Sequence, residues 1–167
     1  MTRRRAIWLW ALLATMLAAP AAALEQPGAD LEQCLSEFAA GEKALGTPDD
    51  PETLASLLVV TDECLRLAAQ PCAQREDQRA LRCLSRSRAT FVRAMGAAEA
   101  QVATLDTPYP EAWALAEETL AALGVVCGES AAGDGRSRVY NRALCEHDLT
   151  ASRYAFLRFL ALHAAAE

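Results

Sequence analysis

Six cysteines, Cys34, Cys64, Cys72, Cys83, Cys127 and Cys145, are the residues of this chain whose type and spacing most plainly invite chemistry. An even set of thiols can close disulfides or hold a metal. Zinc sites bring thiolates and imidazoles together at short spacings such as C-x-x-C. No two cysteines stand that close here, and the histidines are only His147 and His163. The C-x-x-C-H of covalent haem is absent as well. No metal or cofactor is therefore expected, and three disulfides out of fifteen possible connectivities are the natural use of the set. A thiol nucleophile is the other option, because Cys145-Glu146-His147 places an imidazole near a thiol. Residues two apart on a helix point to different sides, and a disulfide competes for Cys145, so a non-enzymatic protein is expected.

Charged residues supply two further candidates. Glu129, Asp134 and Arg136 fall in or beside a glycine-rich segment, 128–136, that reads as a loop. Its acidic groups could enter the cleft of a basic hydrolase and gain charge-assisted hydrogen bonds, with a solvated connector as the alternative. Arg75, Arg79, Arg82, Arg86 and Arg93 recur at helical spacing. They suit anionic glycan or lipid headgroups, or else a solvated face paired with Glu76 or Asp77. Trp113, Tyr140 and Tyr154 fit core or boundary aromatics better than a sugar-stacking platform.

Helices must position all of these. Apolar residues recur at three and four, and no stretch alternates over a strand's length, so the chain reads as all-α with about five helices. Asp30 is the expected cap of a first helix with Leu31, Cys34, Leu35, Phe38 and Leu45 on one side and Gly46 at its end. Asp50-Pro51 opens a second, with Leu54, Leu57, Leu58, Cys64 and Leu65 inward and Pro71 as its stop. A third, capped by Asp77, carries Leu81, Leu84, Phe91, Met95, Val102 and Leu105 and ends near Thr104 or Leu105, before Thr107-Pro108-Tyr109-Pro110. The fourth runs from Glu111 to Gly124 with Trp113, Ala116, Leu120 and Leu123 inward. The last starts near Ser137 and buries Tyr140, Leu144, Leu149, Phe156 and Leu160.

These helices weigh the cysteine pairings. Cys34 lies about 18 Å before the first turn and Cys64 about 21 Å after it, so the two are level in a hairpin. Cys127 and Cys145 bracket the glycine-rich loop. The remaining pair, Cys72 with Cys83, requires Cys72 to lie outside the third helix, since eleven helical residues would hold them about 16 Å apart.

The start of the chain bounds the compartment. Arg3-Arg4-Arg5, an apolar run from Ala6 to Ala19, Pro20, and small residues before Leu24 have the form of a secretory leader cleaved after Ala23. About 14 apolar residues fall short of the ~20 that span a bilayer. The expected organisation is therefore a leader (1–23), a linker (24–29) and one helical domain (30–167), made of a hairpin (30–71) and a second region (72–167). The mature chain is expected in the periplasm or secreted, without a membrane span. Formal charge is −6 for the whole chain. Loss of the leader's three arginines, with no acid among residues 1–23, leaves 13 Lys+Arg against 22 Asp+Glu, or −9. That balance disfavours nucleic acid and suits a cationic partner.

Cys127, Gly133, Gly135, Ser137 and Cys145-x-x-x-Leu149-Thr150-x-x-Arg153 with Leu157, together with Cys72-Ala73-Gln74, Gln78 and Cys83, resemble the exported helical domain of the lysozyme-inhibitor LprI N-terminal type. Cys64-Leu65-Arg66-x-Ala68-Ala69-x-x-Cys72 is similar to a cysteine-bearing extension of some envelope members. The resemblance implies a small stapled envelope protein whose partner is another protein, with inhibition of a lysozyme-like hydrolase as the activity of some relatives. The alternative expectation is an assembly module that docks on another envelope protein.

Overall fold

The computed structural model describes residues 29–41, 48, 50–129 and 137–166. They form five helices: α1 (Ala29–Gly41), α2 (Pro51–Ala73), α3 (Asp77–Val102), α4 (Tyr109–Glu129) and α5 (Arg138–Ala166), with no strand among the described residues. The all-α bundle expected from periodicity is what the chain builds.

Helix ends follow local chemistry. Asp50 caps α2 as expected: Oδ1 accepts the backbone N–H groups of Glu52 and Thr53 at 2.9 Å, and Oδ2 accepts the Thr53 hydroxyl at 2.6 Å. Those bonds, the Thr53 hydroxyl foremost, hold the Asp50 carboxyl below its ordinary range. Ser137 caps α5, its Oγ accepting the Tyr140 N–H at 3.3 Å. The cap of α3 is Glu76, one residue before the expected Asp77. Asp30 lies inside α1 rather than capping it, while Gly46 and Leu45 fall outside the described residues.

Two expected stops are passed. Pro71 sits inside α2, which continues to Ala73. A proline near a helix end removes only one intrahelical hydrogen bond, and Arg75 holds the last turn by donating its N–H to Cys72 O (3.2 Å) and its Nε–H to Pro71 O (3.1 Å). Arg75 is thus a capping group of α2 and not part of an α3 stripe. Gly124 does not end α4, which runs to Glu129. A Cβ on Gly124 would lie 3.2 Å from Leu149 Cδ2, so the glycine serves close approach of α4 to α5. In the other direction, α4 begins at Tyr109, two residues before Glu111, with Pro110 in its first turn.

Helix α5 is the centre and packs against the other four, most extensively against α3. Ala155, Phe156, Leu157, Phe159, Leu160 and Ala161 are all buried, so this stretch is enclosed on every side. Ser87 meets His147 and Gln101 meets Arg158, so α3 and α5 run in the same direction. Tyr109 meets His163, Glu117 meets Arg153 and Cys127 meets Cys145, so α4 runs against them. The main core gathers Leu31, Leu35, Leu54, Leu57, Phe91, Val102 and Ala116 around Phe156 and Leu160, and a smaller cluster joins Cys72, Ala80, Leu84 and Tyr140. Leu123, expected inward, is 51% exposed. Leu120 and Cys127 on either side of it are buried, and Gly124 and Cys127 face α5 there, so the covered stripe turns toward α5 and leaves Leu123 outside it.

Candidate functional site

All six cysteines are paired, with Cα separations of 5.6 Å for Cys34–Cys64, 5.4 Å for Cys72–Cys83 and 5.6 Å for Cys127–Cys145. The three bonds join α1 to α2, α2 to α3 and α4 to α5. Cys72 lies outside α3 as the third pairing requires, but in the last turn of α2 rather than in a loop. The short turn between the two helices brings Cys83 back beside it. Disulfides in this number form and persist in an oxidising, exported environment. No helix of the described residues is long and apolar enough to cross a membrane.

Helix α4 runs to Glu129, so Gly128 and Glu129, expected in the glycine-rich loop, are helical. The Glu129 side chain, Asp134 and Arg136 lie outside the described residues. What is described is the base on which they stand: Cys127 and Cys145 tie together the two helices that bracket this segment. The helix leading into it, α4, contains no lysine or arginine.

The thiol-nucleophile pairing of Cys145 with His147 is replaced by something else. Cys145 is oxidised. His147 is buried and turned toward α3, where Nε2 lies 3.0 Å from Ser87 Oγ, while Nδ1 lies 2.8 Å from Asp148 Oδ1. These are the separations of a Ser-His-Asp relay. Yet Ser87 and His147 are 2% and 1% exposed, so no acyl carbon can reach the hydroxyl. The arrangement satisfies a buried imidazole and fixes α3 against α5. Sequence reasoning missed Ser87, because its partner is sixty residues away on another helix.

A second polar cluster links α1, α3 and α5. Glu32 Oε1 accepts the Tyr154 hydroxyl at 2.6 Å, Glu32 Oε2 accepts Arg158 Nη2 at 3.0 Å, and Arg158 Nη1 donates to Gln101 Oε1 at 3.0 Å. Burial, and then the hydrogen bond to Glu32, pushes the Tyr154 phenol up to about 12. The same carboxylate raises the Arg158 guanidinium above its ordinary value. Beside the cluster is a cleft of about 320 Å³, floored by Ala94, Ala97 and Ala98. Its polar groups satisfy one another, so the cluster acts as a clamp on α1. Tyr154 is thereby a half-buried boundary aromatic, as expected. The signal that could have exposed the clamp is Arg158, one turn after Tyr154, in the otherwise apolar stretch from Tyr154 to Leu162.

The motif residues of α5 have positioning work too. Thr150 Oγ1 donates to Glu146 O at 2.8 Å and accepts Arg88 Nε at 3.3 Å, while Arg153 pairs with Glu117 at 2.9 Å. Arg79, Arg82, Arg86 and Arg93 are exposed on α3. No protein-family model, curated protein or solved structure matches the chain. The LprI-type likeness therefore rests on the quoted residues alone.

Proposed function

We propose that the protein is exported to the periplasm or beyond, loses residues 1–23, and acts there without catalysis by covering the surface of a cationic partner, a cell-wall hydrolase of lysozyme type. The observation that carries this reading is the stapled α4–α5 junction. Cys127–Cys145 fixes both ends of the segment holding Glu129, Asp134 and Arg136. An anchored loop loses less conformational freedom on binding than a free one. Its approach helix contributes Glu111, Glu117 and Glu118 and no positive side chain, which favours encounter with a basic protein through long-range attraction. The likeness of Cys127, Cys145, Leu149, Thr150 and Arg153 to the LprI type supports the same partner class.

A two-component assay tests it. Oxidised protein added to a cationic lysozyme should slow the clearing of a cell-wall suspension, and Glu129→Ala with Asp134→Ala should weaken that effect. Unchanged clearing at saturating protein would refute the reading.

A further inference from the structure

Two helix faces of opposite sign carry the same repeat. On α3, Arg79, Arg86 and Arg93 recur every seven residues with Arg82 beside them, all exposed, and no acid occurs between Gln78 and Ala98. On the outward side of α4, Glu111 and Glu118 are also seven apart and exposed, on a helix without a base. Seven residues make two turns, about 10.5 Å, so the two charge rows have equal pitch. Between the charges the pattern repeats again: Ala89 and Thr90 follow Arg86 at three and four, and Ala114 and Leu115 follow Glu111 at three and four, all exposed. None of these arginines or glutamates forms an ion pair with a described residue.

We propose that the acidic α4 face of one copy docks on the arginine face of α3 of a second copy. Glu111 and Glu118 then lie opposite two successive members of the Arg79, Arg86, Arg93 row. Each guanidinium offers a fork that a carboxylate fills with two parallel hydrogen bonds. Leu115, 42% exposed on the isolated chain, comes to lie over Ala89 and Thr90, whose small side chains let the helices approach. Charge complementarity and matched pitch on one sequence single out a second copy over an anionic surface, which would need only the arginines. The contact is heterologous: of two docked copies one keeps its arginine face free and the other its acidic face, so the assembly extends instead of closing at a dimer. A single helix-on-helix contact is small, so the association is reversible and salt-sensitive. The inference does not depend on the hydrolase reading, because no hydrolase enters its test.

Sedimentation of the oxidised protein decides it. At low salt the weight-average mass should rise steadily with concentration. At about 1 M salt, where the screening length is about 3 Å, it should return to the monomer value. Arg86→Glu with Arg93→Glu should hold the protein monomeric, as should Glu118→Arg with or without Glu111→Arg. An equimolar mixture of the two charge-reversed proteins should associate again. Thermal melts of each variant report whether its fold is intact. A wild-type protein that stays monomeric at every concentration overturns the proposal, and so does a mixture of folded variants that fails to associate. Monomer that instead sediments with vesicles of anionic phospholipid overturns it too, and assigns the arginines to a lipid surface.

Discussion

Removing the disulfides one at a time should cost stability in the order of the loops they close. The sequence separations are 30 for Cys34–Cys64, 18 for Cys127–Cys145 and 11 for Cys72–Cys83. Loop-closure entropy in the unfolded chain turns these into about 3.6, about 3.2 and about 2.8 kcal/mol at room temperature. Each pair has one sulfur-bearing residue in the core, with Cys64 at 0%, Cys72 at 2% and Cys127 at 7% exposure. Packing losses on conversion to alanine are therefore comparable, and loop length sets the ranking. Against a total stability of about 5 to 15 kcal/mol for a domain of this kind, each loss is a large share. Urea unfolding of the three double Cys→Ala variants measures it. The midpoint should fall furthest for Cys34→Ala with Cys64→Ala and least for Cys72→Ala with Cys83→Ala, and the slope should rise as the denatured chain opens. If the Cys72–Cys83 variant is the least stable, or the Cys34–Cys64 variant unfolds like the parent, the loop argument fails.

Ser87→Ala strips the partner from His147 Nε2 in a closed core and should cost about 1 to 3 kcal/mol in the same unfolding assay, the penalty for an orphaned buried polar group. Gly96→Ala meets nothing within 4 Å, so it should gain about 0.5 to 1 kcal/mol of helix stability. Gly124→Val should destabilise instead, because the added methyls crowd Leu149. In a spectrophotometric titration Tyr154 should ionise well above the ordinary tyrosine value. Its folded value near 12 lies above the ordinary 10, so its contribution to stability is complete below about pH 10 and is lost as pH climbs through 12. Glu32→Gln should bring that titration down toward the ordinary range. Asp50→Ala should lower amide protection in the first turn of α2, and the Asp50 contribution itself should vanish as pH falls below the ordinary carboxylate value and through its depressed one.

How far the sequence reveals this fold depends on whether a feature is local. The Asp50-Pro51 start and the Ser137 start are visible because a cap and the N–H groups it satisfies lie within a few residues. Cys34–Cys64 could be inferred from distances along two helices joined by one turn. The ends at Pro71 and Gly124 misled because a breaker is only a local cost. Arg75 on one helix and the close passage of α5 past the other outweigh it. The polar interior was hidden for a related reason. Ser87 with His147, and Glu32 with Tyr154 and Arg158, join helices far apart in the chain, and no spacing within one helix announces them. Leu123 shows the limit of periodicity: it sits on the expected stripe of α4 between buried Leu120 and Cys127, yet which side of the helix its neighbours cover decides whether it is buried. The acid-only composition of α4 and the arginine row of α3 were legible as residues. That their repeats match emerges only when the outward faces are known.

The proposed function rests on binding of a cationic hydrolase at the stapled α4–α5 end. Titration calorimetry of the oxidised protein into a cationic lysozyme tests it most directly. A saturable complex is expected, weakening as salt is raised and again with Glu129→Ala and Asp134→Ala. Absence of any complex at low salt, or a complex indifferent to both salt and those substitutions, would contradict it.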